Sequence, residues 1–407
     1  MERSQSRQHH HVHPGYPSMK RAPSAASHAA GLSLVELLIS LVIGLVLMLG
    51  VTQIFMASRA ASQLSEGVAR TQENARFALE FLERDIRMAG HMGCVNDQAH
   101  LVRAQDSVKV NIAGVKSGDG SPMDFSVPIQ GYEAQGTAPG NKLTLGASWG
   151  AAGSTPSAIT NLKPKPLGGS DIIVMRYLAP EGSPVLSIGS GTSPDITIAS
   201  DAAARLSAGA VTTPSAFAVA DCSKVDVFAG KIAGSTITAS KADLSAYSAN
   251  NAVTMVYRVE SMAYYVATNT AGEPALYRAR GAGDNTFATG EELVEGIESL
   301  QFLYGQDTET AISSTAPPTG VIAFQKTASG VSTGTDAAAV AAWRRVGLVQ
   351  FGLLVRSPQR AAAEQANTAV AQLGVLGVGF NPPTTYDDRY RASYEVSVAL
   401  RNRLFGN

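Results

Sequence analysis

The sequence predicts an α+β protein in which one long N-terminal helix, membrane-spanning in its first half and amphipathic in its second, packs on an antiparallel β-sheet-rich exported domain. Three observations predict it. Leu37 to Ser58 is a 22-residue run without a charge. Arg59 to Arg87 carries apolar residues at helical spacing. Past Cys94 come short runs of Val, Ile, Tyr and Leu separated by Gly, Ser, Thr and Ala-rich stretches, the pattern of strands joined by polar loops.

With 407 residues and 45% hydrophobic content, the chain can bury a substantial core. Only 16% of residues are charged and the formal net charge is −1, which leaves no basic surface of the kind that neutralises phosphates, so no nucleic-acid partner is expected. Two cysteines, Cys94 and Cys222, are too few for a disulfide framework and lack metal-site spacing. If the domain lies outside the cytoplasm, one bridge between them is the natural reading. Closing so long a loop would constrain the unfolded chain by ~4 to 5 kcal/mol.

Residues 1–31 are polar, hold five of the seven histidines and show no apolar period. They read as a leader, not as fold. The His9 to His13 run has no Cys or carboxylate cluster beside it, so no metal is expected there. Met19, just before Lys20 and Arg21, offers a second start.

The uncharged run follows. As a helix it is ~33 Å long, enough to cross the hydrocarbon core. Lys20 and Arg21 precede it and stay cytoplasmic by the positive-inside bias, so everything after Arg59 is placed on the far side. Glu36 interrupts the apolar text, and its burial in lipid would cost ~3 kcal/mol, which calls for a partner or a role.

Gly31-Leu32-Ser33-Leu34-Val35-Glu36, followed by LLISLVIGLVLM, resembles the prepilin processing motif of type IV pilins and type II secretion pseudopilins. The resemblance implies a leader peptide, residues 1–31, cut after Gly31 by prepilin peptidase, with N-methylation of the new amino terminus at Leu32. It also implies that Glu36 neutralises the amine of Leu32 in a neighbouring subunit during assembly, an attraction strengthened in a low-dielectric helix bundle. The family usually has Phe or Met at the first mature position, where this chain has Leu32. A Pro common in major pilins is absent near Gln53.

Beyond the span, Ala57, Ala61, Leu64, Val68, Ala75, Leu79, Leu82 and Ile86 predict one helical face, opposite Arg59, Glu66, Arg70, Glu73, Arg76, Glu80, Glu83, Arg84 and Arg87. The helix is expected from Leu32 to about Met88, ~85 Å, with the transmembrane segment at about 34–57 and Gly90 as its stop. QENARFALEFLERDIRMAGHMGC, residues 72–94, is similar to the end of the long helix in PilW-type minor pilins. By that resemblance Cys94 is the first family cysteine, and the DCS at Asp221 to Ser223 the site of the second.

In the exported part, residues 91–407, strands are expected at Asp171 to Leu178, Val225 to Ala229, Val253 to Ala267, Ala275 to Arg280, Val346 to Arg356 and Tyr390 to Arg401. Glu291 to Tyr304 reads as a short turn of helix plus a strand. Loops are expected near 116–170, 195–250 and 308–335, and a division into two lobes near 245 is one option. DIIVMRY, ALYR, LVEGIESLQFLYG, LLVRSP and VALRNR occur in the order of the PilW-type pattern.

No catalytic arrangement emerges. After the leader only His91 and His100 remain, both near the helix exit, and no GxSxG, HExxH or P-loop occurs. GAGDNTFATG reads as a polar loop, and Asp387-Asp388 as solvated. The expectation is a non-enzymatic minor pilin without cofactor, held in the inner membrane by a single span with a periplasmic domain and then carried into the extracellular pilus. Its implied role is initiating assembly or forming the tip. Implied partners are other minor and major pilins, prepilin peptidase, the inner-membrane assembly platform and a tip adhesin. A minor pseudopilin of type II secretion shares the whole N-terminus, a membrane-tethered adhesin or binding module would leave Glu36 dispensable, and a hydrolase ranks last.

Overall fold

The computed structural model describes residues 33–94, 108–146, 148–207, 211–313, 315–361, 373–381 and 387–400. The leader, Gly31, Leu32 and His100 lie outside the described residues. The chain divides into two units, Met1–Ala57 and Ser58–Asn407.

Helix α1 (Leu34–Met88) supplies the described part of the first unit and the start of the second. In the first unit, Leu34 to Met56 present large apolar side chains that are all exposed. Ser40 Oγ donates to Leu37 O at 2.9 Å and Thr52 Oγ1 to Met48 O at 2.6 Å, so the hydroxyls of this segment are satisfied without water. That suits a hydrocarbon solvent.

In the second unit, the strands are β1 (Lys109–Asn111), β2 (Ile129–Tyr132), β3 (Lys142–Leu143), β4 (Ile172–Ile188), β5 (Asp195–Ile198) and β6 (Ala216–Ala220). They continue as β7 (Val225–Ala233), β8 (Thr236–Ser240), β9 (Met255–Thr268), β10 (Pro274–Arg280), β11 (Glu291–Glu295) and β12 (Ile297–Asp307). The last are β13 (Ile322–Lys326), β14 (Val346–Arg356), β15 (Gly374–Val375), β16 (Val378–Phe380) and β17 (Arg391–Ala399). Short helices α2 (Ser157–Thr160), α3 (Ala202–Leu206), α4 (Ala328–Val331) and α5 (Ala337–Arg344) lie between them.

A ten-stranded sheet runs β11-β10-β9-β6-β7-β8-β5-β4-β2, with β1 joined parallel to β7. Because β4 also pairs with β9, the strands β9-β6-β7-β8-β5-β4 close into a ring. The end of β4 supplies this closure, with Gly182↔Tyr257 and Pro184↔Met255. Closure removes exposed edges. The interior is filled by Val185, Ile196, Ile198, Phe217, Phe228, Ile237 and Val256. A second, four-stranded sheet runs β13-β12-β14-β17, entirely antiparallel, and a small one runs β15-β16-β3. The main core lies where α1 from Ala75 to Ile86, and Ala89 just past its end, meet both larger sheets, through Leu82, Ile86, Ile173, Tyr264, Phe302 and Phe351.

Several expectations need correction. The buried face of α1 is Gly67, Thr71, Ala75, Ala78, Leu82, Asp85 and Ile86, whereas Ala57, Ala61 and Leu64 are exposed and Val68 and Leu79 only half-buried. Of the predicted stripe, Ala75, Leu82 and Ile86 are buried and Leu79 packs against the core; nearer the span, close packing selects a small residue instead, since a Cβ on Gly67 would meet Ala361 Cβ at 2.6 Å. Glu291 to Tyr304 holds no helix, only β11 and β12 around Gly296. The strand at Asp171 does not end at Ala179-Pro180 but shifts register between Leu178 and Gly182 and continues to Ile188, a bulge being where a strand tolerates Pro. The expected loops near 116–170, 195–250 and 308–335 contain β2, β3, β5, β6, β8 and β13. Residue 245 falls between β8 and β9, both members of the closed ring.

Candidate functional site

The features that would serve assembly and anchoring lie along α1 and its exit. Glu36 sits in the first turn of α1, where a carboxylate complements the partial positive charge of the helix N-terminus. Its side chain is exposed and finds no ion pair among the described residues. It is the sole charge between Leu34 and Ser58. At Gly44 and Gly50 an added Cβ would meet nothing within 4 Å, which leaves the backbone open to close approach by another helix.

Near the other end of α1 the chemistry reverses. Asp85 follows Leu82 on the buried face, and its carboxylate accepts from Tyr177 Oη at 3.2 Å and from Tyr264 Oη. Arg278 Nη1 stands 3.6 Å away, and Arg278 Nη2 bonds Glu291 at 2.6 Å. Burial, then the neighbouring Asp85 charge, push both phenols far above their usual range, so they remain donors at every physiological pH. One carboxylate thus ties the helix to β4, β9 and β10. Sequence reading placed Asp85 inside a family-like motif without assigning it this role. The available signal was an acid falling in step with Leu82 and Ile86.

The exit from α1 is a pair of forced turns. Gly90 (φ +80°) ends the helix and Gly93 (φ +90°) turns the chain again. At Gly93 a Cβ would lie 3.0 Å from Tyr257 Cε2 and 3.2 Å from Ala220 Cβ, so both conformation and space require glycine. Cys94 is thereby brought to Cys222, and the two form a disulfide with Cα atoms 5.0 Å apart. Asp221 presents Cys222 by capping the β6–β7 turn, its Oδ1 accepting from Ser223 N at 2.7 Å and Lys224 N at 2.9 Å.

Arg176 is a further anchor that the sequence did not disclose. Fully buried on β4, it donates through Nε to Pro122 O at 2.9 Å, through Nη1 to Val127 O at 2.5 Å and through Nη2 to Ser121 O at 2.7 Å. Three fixed donors hold three loop carbonyls, which a lysine ammonium could not span. Asp171, just before β4, accepts from Ala134 N at 2.9 Å, Thr137 Oγ1 at 2.8 Å and Phe302 N at 3.1 Å. Burial nevertheless pushes its carboxyl up to about 7.

The residues screened for catalysis are dispersed. Among the described residues no group of three or more His, Cys, Asp and Glu could hold a metal. His91 is half-buried and its imidazole is held below its usual range by that burial. Asp387 is not solvated but gripped by Arg391, and Asp388 pairs with Arg360 at 3.7 Å. In the 281–290 loop Asp284 caps Thr286 N at 2.7 Å and Gly281 bridges to Phe287, a self-contained turn.

Comparison with known proteins follows the same division. Residues 263–402 match the family described as Type IV Pilus-assembly protein W. Residues 26–52 match the Prokaryotic N-terminal methylation motif, which brackets Gly31, Leu32 and Glu36. No curated protein matches the chain. Among solved structures, a type IV-like pilin from Thermus thermophilus is matched at 11% identity and a TM-score of 0.26, over 83% of this chain and 98% of that one.

Proposed function

Because the chain is a type IV pilin-like protein of the PilW type carrying the prepilin methylation motif, we propose that it is a low-copy minor pilin that initiates pilus assembly and occupies the pilus tip. In this reading prepilin peptidase cuts after Gly31, Leu32 becomes the methylated amino terminus, and the subunit waits in the inner membrane with its domain in the periplasm. Other minor and major pilins, the assembly platform and a tip adhesin are its partners. The observation that carries the proposal is Glu36, a lone carboxylate on an exposed apolar helix, with no ion pair among the described residues. In a low-dielectric bundle such a charge demands a partner from another molecule. A second unit of 350 residues, Ser58–Asn407, is bulky to repeat along a thin fibre, which favours few copies.

Two measurements test this. N-terminal mass spectrometry of the membrane-extracted protein should find methylated Leu32, and an intact Met1 or Met19 contradicts processing. Piliation and twitching should be lost in Glu36→Ala. Unchanged fibres would reject the assembly role and leave a tethered binding module, whereas a secretion defect with normal pili would mark a type II pseudopilin.

A further inference from the structure

At one end of the second unit, the end of β9 and the start of β10 from the large sheet meet the start of β12, the end of β14 and the start of β17 from the four-stranded sheet. A cavity of about 340 Å³ lies at this seam, and one of about 680 Å³, walled mostly by residues 146–167, adjoins it, the two sharing Gly146, Leu167 and Thr268 in their linings. Each has the size of a small-molecule site.

The two halves differ in chemistry. The larger is lined by Trp149, Ile159, Pro164, Lys165 and Pro166, with Lys165 Nζ donating to Thr160 O at 2.6 Å. Trp149 is half-buried and its Nε1 donates to Ser170 O at 3.0 Å, which fixes the ring. The smaller is lined by Glu298, Arg356, Asp387, Arg391 and Asn381. Its charges are paired: Arg391 Nε bonds Glu298 at 2.7 Å, Arg391 Nη1 bonds Asp387 at 3.0 Å, and Arg356 Nη1 bonds Glu298 at 3.0 Å. Two guanidiniums against two carboxylates leave the smaller cavity without net charge, and the one charged side chain of the larger, Lys165, is bonded to a backbone carbonyl.

The walls are also pre-formed. Leu167 N donates to Val266 O at 2.8 Å, Tyr265 Oη to Lys163 O at 2.8 Å, and Asn381 N to Leu143 O at 2.7 Å. A rigid groove with a flat aromatic wall at one end and immobilised donors and acceptors of zero net charge at the other suits a ligand with apolar ring faces and many hydroxyls. We propose that this groove binds a neutral saccharide, ring face against Trp149 and hydroxyls toward Asp387, Arg356 and Asn381. The site goes beyond the minor-pilin reading and does not depend on it, since binding by the purified chain is measurable whether or not the chain assembles.

The test uses the full chain in a detergent without a sugar headgroup, titrated with maltotriose, cellotriose and triacetylchitotriose. Of the two tryptophans, Trp343 is only 2% exposed, so a saccharide-dependent fluorescence change reports Trp149. At least one trisaccharide should bind with a Kd of ~1 mM or below. Trp149→Ala should weaken it at least tenfold and Trp149→Phe should largely restore it. Should Trp149→Ala fail to fold, Thr268→Arg, at an exposed position shared by both cavities, should abolish binding on an intact fold. Binding of none of the three, binding unchanged by Thr268→Arg, or preferential binding of inorganic phosphate overturns the proposal.

Discussion

The two carboxylates near opposite ends of α1 form an instructive contrast. Glu36 is exposed on an apolar helix surface, with no partner among the described residues. Asp85 is 4% exposed and has two tyrosines and an arginine of its own chain around it. Both residues are acids set among apolar neighbours, so helical periodicity treats them alike. What separates them is where the compensating groups reside. A buried charge satisfied internally holds a fold together, whereas one left unsatisfied in an apolar segment is a demand on another molecule.

The sharpest way to break this contrast is Asp85→Ala, which removes the carboxylate that two buried phenols share and leaves Arg278 with Glu291 as its remaining ion-pair partner among the described residues. Thermal or denaturant unfolding should show a loss of ~3 to 5 kcal/mol. A loss near zero would mean that Asp85 is no anchor. Next comes the double substitution Cys94→Ser with Cys222→Ser, which frees a link between residues 128 apart. It should cost ~2 to 5 kcal/mol in the same assay, and the oxidised wild type should lose a comparable amount on reduction.

A smaller effect is expected at Asp171, and its sign follows from burial raising the carboxyl to about 7. Below about pH 4 both folded and unfolded chains hold the proton; as pH rises toward 7 the unfolded chain releases it while the folded one retains it. Stability present at low pH is therefore lost between about pH 4 and 7, and Asp171→Asn should flatten that part of a Tm against pH curve. The smallest effect belongs to Glu36→Ala, which should leave the unfolding of the second unit unchanged within ~0.5 kcal/mol. A large destabilisation there would sink the distinction between the two acids.

How much of this could be read in advance depended on the length of the signal. The uncharged run and the strands at Val346 and Val225 are local patterns, and their starts coincide with those of β14 and β7. The β9–β10 hairpin around TNTAGEP is likewise local and forms with Thr268 opposite Pro274. The closed ring was not legible, because β5, β6 and β8 (DITI, AFAVA, TITAS) are only four or five residues long and lie in Gly, Ser, Thr and Ala-rich text. Their apolar residues, among them Ile196, Ile198, Phe217 and Ile237, meet partners far away in the chain, and no local pattern shows that pairing. The roles of Arg176 and Asp85 escaped for the same reason, since a buried polar side chain is defined by the carbonyls and phenols that meet it. Gly90 was readable as punctuation, yet the crowding by Tyr257 that makes Gly93 obligatory is a tertiary fact.

The disulfide at the foot of α1 also decides how the molecule would carry tension. A pull along α1 reaches Cys94 and passes through the sulfur bridge straight to Cys222, on the β6–β7 turn of the closed ring. The polypeptide between those cysteines is covalently bypassed and cannot be drawn out while the bridge is intact. Load therefore enters a barrel with no free edge to peel, and this joint would give way first by chemistry rather than by stretching.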